Sequence, residues 1–276
     1  MSEYVTERGS IGLAVSDTGE GPAVLLAHGL TATRRYVVMG STALARGGHR
    51  VIAYDARGHG ASSPAPSADA YEYEDLGADM EAVLDRAGLE RAVLAGASMG
   101  AHTLLWLALH RPERVAGLVV VTPAFTAEPD DPARLAHWDA LSAGLREGGI
   151  DGFVAAYTAD GFDTVPERWR ETVITVIRQR LALHDHPEAV ADALRVVPRS
   201  RPFAYLADLA AIDVPTAIVV SDDEADPEHP RAVGEAYARA IPDARLVTDE
   251  PGRSPIAWQG SQLSKVIAEV AREASL

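Results

Sequence analysis

Cysteine is absent from all 276 residues of the chain, which removes disulfides, thiolate nucleophiles and cysteine-based metal sites at once. Positive charge is scarce too: 25 Lys and Arg stand against 40 Asp and Glu, leaving a net charge of −15. Phosphate backbones and anionic membranes repel such a chain, so neither nucleic acid nor a membrane is an expected partner. No apolar stretch approaches the roughly 20 residues that a membrane span needs. The opening MSEYVTERGS lacks the basic start and apolar run of a signal peptide, so a cytoplasmic protein is expected. Repeats with periods of about 20–50 residues and low-complexity tracts are missing. No spacing such as H-E-x-x-H offers metal ligands, and no cofactor is expected. Histidine runs out early: His229 is the last, and none follows down to Leu276.

What remains is an ordinary globular composition, 47% hydrophobic and 24% charged, long enough for one large α/β domain or a domain with an insertion. Short apolar runs recur, each followed by a helical pattern. AVLLAHG (23–29) precedes a predicted helix over 35–46, HRVIAYD (49–55) one over 73–88, and RAVLAGAS (91–98) one over 99–111. VAGLVVVTPA (115–124) closes this series, and PTAIVVSD (215–222), a helix over 230–240, ARLVT (244–248) and a helix over 260–273 resume it. Runs that are apolar on both faces fit parallel strands covered by helices on each side. The expected fold is a doubly wound, mostly parallel sheet with its active-site loops at the carboxyl ends of the strands. Residues 1–125 and 214–276 would form this core. Between 126 and 213 the strand signal disappears, and helical stretches broken by Gly, Pro and Asp predict an inserted lid. Of its aromatics Trp138, Phe153, Tyr157, Phe162, Trp169, Phe203 and Tyr205, most are expected to pack a small helical core and a few to line a pocket.

GASMG (96–100) follows an apolar strand and opens a helix. In that context G-x-S-x-G describes a nucleophile elbow, where glycines permit a strained turn that lifts the Ser98 hydroxyl above the sheet. Without the context Ser98 would read as a helix N-cap. HGL (28–30) ends the strand expected to carry an oxyanion loop, so the amides of Leu30 and Met99 are the candidate oxyanion hole. YDARGHGAS (54–62) looks like a D-x-R-G-x-G-x-S turn, with Asp55 and Arg57 expected to form a structural ion pair within it. In order and spacing these three motifs resemble the α/β-hydrolase superfamily of serine esterases and related enzymes, over nearly the whole chain and including the place of the helical lid.

That resemblance implies an acid after the strand following the lid and a histidine in a G-H-S-P-like turn after the last strand. The acid stretch is SDDEADPEHP (221–230), where Asp226 has Pro230 four residues on; Asp222 and Asp223 are runners-up, and a solvated acidic turn is the bland alternative. The histidine slot reads Gly252-Arg253-Ser254-Pro255. Arginine has no acceptor and stays charged, so Arg253 cannot take a proton from Ser98, although it could pair bidentately with Asp226. His229, on the acid's own loop, and His102, one turn beyond Ser98, are the possible alternative bases. His137, His184 and His186 belong to the lid and could descend into the pocket. His28 is expected to brace the oxyanion loop, His59 sits in a turn, and His49 and His110 lie near element ends.

Two functions follow. One is a serine hydrolase of a carboxylic ester, thioester or lactone, slow because the usual base is missing. The other is a disabled relative that binds a small apolar or carboxylate-bearing ligand under its lid. Either takes a small molecule and fits a monomer or homodimer.

Overall fold

The computed structural model describes residues 1–129, 131–159, 162–221, 226, 228–248 and 260–274. Eight strands form one sheet: β1 (Ser2–Arg8), β2 (Ile11–Thr18), β3 (Ala23–Ala27), β4 (Arg50–Tyr54), β5 (Ala92–Ala97), β6 (Val115–Val121), β7 (Thr216–Val220) and β8 (Arg245–Thr248), in the order β1-β2-β4-β3-β5-β6-β7-β8. The β1–β2 and β2–β4 pairs are antiparallel, and every pair from β4 to β8 is parallel. The parallel strands bury both faces, and the two-residue period divides them cleanly. Leu25, Leu94, Leu118 and Ile218 face one layer, while Leu26, Val93, Val119 and Val219 face the other.

The first layer holds α2 (Tyr73–Arg86), α3 (Met99–His110) and α7 (Arg231–Ala240), and the second holds α1 (Ala43–Arg46) and α8 (Gly260–Glu273). Only the end of the helix expected over 35–46 forms. Met39 (φ 50°) and Gly40 (φ 71°) take left-handed conformations that no continuous right-handed helix accepts. The β1–β2 hairpin was not expected either. It adds an antiparallel edge to the sheet, joined by a turn at Gly9.

Between β6 and β7 the chain leaves the sheet and forms α4 (Pro132–Ala159), α5 (Glu167–Leu181) and α6 (Pro187–Val196). α4 changes direction at Gly149 (φ 60°). This insertion has no separate core: Leu141, Leu145, Phe153, Val190 and Leu194 join the same buried cluster as Leu25 and Leu94 of the sheet. Of the aromatics named above, Phe203 packs edge-on against Phe125 and Tyr237, whereas Tyr205 is 71% exposed.

The chain passes from β3 outward to β4 and then returns to β5 on the other side of β3. The carboxyl ends of β3 and β5 are therefore neighbours at the point where the winding reverses, where open α/β sheets bind ligands. Ser98 lies there, between β5 and α3, with φ 50° and ψ −112°. An L-residue accepts such a backbone only when its surroundings impose it. Glycine on either side makes that possible. A Cβ on Gly96 would sit 2.6 Å from the Gly100 carbonyl carbon, and one on Gly100 would sit 2.2 Å from Ala27 O.

Gly100→Ala is therefore expected to destabilise the fold by about 1–3 kcal/mol, as overpacking against fixed backbone does. Gly148→Ala, where an added Cβ meets nothing within 4 Å, is the matched control. Urea unfolding of the two variants checks this; equal midpoints would show that the elbow tolerates a side chain.

Candidate active site

Directly above the elbow is a cavity of about 390 Å³, bounded by the sheet's strand ends below and by α4 and α5 of the insertion above. Ser98, Leu30 and Met99 lie on its floor, and Trp138, Phe153 and Tyr157 lie on its roof. The loop between β7 and α7 brings Asp226 and His229 to its edge. Asp226 accepts a hydrogen bond from the backbone N–H of Glu228, an Asx-type turn that folds the loop back on itself. His229 then lies against the carboxylate. Its Nδ1 is 2.8 Å from both carboxylate oxygens, and its Nε2 is 2.9 Å from Ser98 Oγ. With Nδ1–H donating to the carboxylate, Nε2 is the free acceptor for the serine hydroxyl.

The electrostatics of the pair are reciprocal. Burial opposes the charged form of each, yet the partner's charge and hydrogen bond outweigh it. The Asp226 carboxyl is held below its ordinary value and the His229 imidazole is raised above 6.5. Arg253, the residue in the expected histidine slot, lies outside the described residues, as do the runner-up acids Asp222 and Asp223. The serine nevertheless has an imidazole beside it, supplied by the acid's own loop.

His102, the other alternative base, is not available for that work. Its Nε2 accepts from the amides of Ala124 and Phe125, both at 3.2 Å, which leaves Nδ1–H facing the Tyr73 hydroxyl at 3.1 Å. It braces the segment after β6. The expected Asp55–Arg57 ion pair is also corrected. Asp55 pairs with Arg34, while Arg57 makes a bidentate bridge to Asp79 at 2.7 and 2.8 Å. The turn is built from two ion pairs reaching outward, because Asp55 also caps the amide of Ala61 from within it.

His28 braces the loop after β3, as expected from the sequence, and His59 and His184, which spacing did not point to, join it. Three successive carbonyls each meet a different imidazole: Gly29 O meets His28 Nδ1 at 2.8 Å, Leu30 O meets His59 Nε2 at 2.7 Å, and Thr31 O meets His184 Nε2 at 3.2 Å. The amides of Ala56 and Gly60 donate to the far nitrogens of His28 and His184, which fixes the tautomer of each. Because a trans peptide sets C=O and N–H on opposite sides, pinning Gly29 O turns Leu30 N–H the other way. The Met99 amide, at the head of α3, has no acceptor within its own helix. Both residues border the cavity beside Ser98. Among the described residues no group of His, Asp and Glu could hold a metal ion, and no helix is long and apolar enough to cross a membrane.

Residues 22–260 match the sequence profile of the alpha/beta hydrolase fold. The chain belongs to that family. Its fold is similar to that of a thermophilic esterase from Thermogutta terrifontis with malate bound, at a TM-score of 0.78 and 27% identity, covering 100% of each chain. It is 27% identical to 3-oxoadipate enol-lactonase 1 of Acinetobacter baylyi over 82% of this chain and 80% of that protein. It is 37% identical to bifunctional epoxide hydrolase 2 of Mus musculus over 46% of this chain, a match that spans only 23% of that protein.

In this α/β-hydrolase the bracing histidines carry a thermodynamic consequence. Burial, reinforced by neighbouring positive groups, lowers His28, His102 and His184 to about 3, and burial lowers His59 as well. A histidine lowered on folding stabilises the fold fully above its unfolded value of 6.5 and less as pH falls towards its folded value. His229, raised on folding, acts in the opposite direction. Below 6.5 His229 is protonated in both states, so the four lowered groups alone set an uptake approaching four protons on unfolding, at about 1.4 kcal/mol per pH unit for each. Urea midpoints are therefore expected to fall as pH drops below about 6.5, with a slope that steepens towards about pH 5 and persists until the folded values of about 3 are reached. A flat profile through that window would mean that the bracing histidines are not neutral in the fold.

Proposed function

We propose that the protein is a serine hydrolase acting on a carboxylic ester, thioester or lactone. Ser98 is the nucleophile, His229 the base, Asp226 its orienting acid, and the amides of Leu30 and Met99 the oxyanion hole. The observation that carries this reading is the continuous contact Ser98–His229–Asp226 at the edge of the cavity. The relatives' names span ester, lactone and epoxide, so similarity supports hydrolysis and leaves the substrate to the site itself. A disabled binding protein would need Ser98 to lack a base, and an imidazole lies 2.9 Å from it.

The chemistry then runs in two halves. Ser98 Oγ attacks the acyl carbon while its proton passes to His229 Nε2, and the carbonyl oxygen becomes an oxyanion accepting from the two amides. Collapse expels the alcohol or thiol, which takes the proton from His229 and leaves an acyl ester on Ser98. Water attacks that ester, gives its proton to His229, and the second collapse releases the acid and returns the proton to Ser98. Asp226 keeps the Nδ1 proton in place and offsets the charge of the imidazolium at each stage. With a base present, the slow turnover expected from Arg253 alone is not part of this proposal.

His229→Ala is expected to lower kcat on p-nitrophenyl acetate by about 10⁴–10⁶-fold, as loss of a triad base does. The base works only when neutral, so kcat/KM should be lost as pH falls through an apparent value above 6.5. Asp226→Asn removes the charge that raises the imidazole, and should move that acid limb to lower pH while reducing the plateau. A His229→Ala variant that keeps its activity, or an acid limb unmoved by Asp226→Asn, would contradict these assignments.

A further inference from the structure

Arg180, in the last turn of α5, lines the same cavity as Ser98. Other arginines of low exposure are neutralised by carboxylates: Arg57 by Asp79, Arg34 by Asp55, Arg50 by Asp17 and Arg114 by Glu81. Arg180 makes no ion pair among the described residues. Its guanidinium lies 5.4 Å from the centre of the Tyr36 ring, and its Nε is shielded from solvent with no acceptor. Burial lowers its pKa, with Asp226 opposing that shift, yet a guanidinium stays protonated at any working pH. Asp226, the carboxylate that acts on it electrostatically, is engaged by His229 through both oxygens. Glu228 also borders the cavity and does not pair with Arg180.

Two more polar atoms on the roof share this condition. Trp138 Nε1 and His137 Nε2 are buried without a partner, and both residues line the cavity. An indole N–H can only donate, and so can a guanidinium. Beside Arg180 the α5 wall is made of Thr172, Val173, Val176 and Ile177, three of them apolar. Beside the carboxylates of Asp226 and Glu228, the cavity thus presents a guanidinium without an ion pair among the described residues and an unmatched indole donor, on a chain whose net charge of −15 would repel anions. A buried charge without a partner is costly, and a carboxylate matches a guanidinium in shape and charge.

We propose that Arg180 is the anchor for a free carboxylate on the substrate, so that the natural substrate is an anionic ester or lactone of a dicarboxylic acid type. This rests on the reading of Ser98 as an acyl nucleophile and specifies which acyl compounds it receives. One carboxylate oxygen accepts from the Arg180 fork while the ester carbonyl, farther along the same molecule, reaches Ser98.

The test compares two p-nitrophenyl esters of equal length, the monoester of glutarate and 5-methylhexanoate, in which an isopropyl group replaces the carboxylate. Unaltered protein is expected to favour the glutarate ester in kcat/KM by at least about tenfold, the size of one charge-assisted hydrogen bond. Arg180→Gln should collapse that ratio chiefly through KM, and Arg180→Lys should restore part of it. A preference near one in the unaltered protein overturns the proposal even if Arg180→Gln fails to fold. So does a ratio that survives Arg180→Gln, which would leave Arg180 a packing residue on Tyr36. Calorimetric titration with glutarate separates this proposal from the hydrolase reading. Glutarate binding lost in Arg180→Gln, with neither ester hydrolysed, upholds the carboxylate site and sinks the hydrolase; hydrolysis of both esters without glutarate binding does the reverse.

Discussion

The backbone at Ser98 is the constraint around which the rest is arranged. A left-handed residue between β5 and α3 persists only if everything near it is fixed, and each neighbouring feature supplies part of that fixity. Ser98 N donates to Val121 O of the adjacent strand at 3.0 Å, and its own carbonyl opens α3 by accepting from His102 N at 3.0 Å. Gly96 and Gly100 remove the side chains that would otherwise collide across the turn. β3 must end beside β5 for the Leu30 peptide to face the same space, and the reversal of winding between those strands ensures it.

Rigidity beneath the site contrasts with economy at its edge. The loop after β3 is held by three imidazoles from three different parts of the chain, one of them His184, which follows α5 in the insertion. The insertion is thereby tied to the floor of the cavity as well as roofing it. At the edge Asp226 and His229 come from the same connection between β7 and α7, and His229 Nδ1 lies against the Asp226 carboxylate three positions earlier. Each partner favours the other's charged form: His229 lowers the Asp226 carboxyl and Asp226 raises the imidazole.

Most of the sheet was legible because its strands are buried on both faces and read as continuous apolar runs, as in AVLLA and VAGLVVV. β1 was not, since SEYVTER is an edge strand with one buried position in seven and carries no such run. GASMG was legible because its glycines have a steric cause that sequence records. His229 was legible only as a substitute, because the expectation looked to the position after the last strand, and Arg253 stood there. Distance along the chain placed His229 near Asp226, but the turn that points its ring at Ser98 depends on a side chain-to-backbone hydrogen bond that spacing does not reveal. The same holds for Arg180. In sequence it is one of several arginines on the helix PERWRETVITVIRQRL, and only packing shows that it lines the cavity with its Nε unpartnered.

The central claim is that His229 activates Ser98, and fluorophosphonate labelling followed by peptide mass spectrometry tests it without any assumption about substrate. Unaltered protein should gain a single phosphonyl group on the Ser98 peptide. His229→Ala should label at least about 10³-fold more slowly, since the hydroxyl would then have no base. An adduct on another residue, or labelling of Ser98 at the same rate without His229, would contradict it.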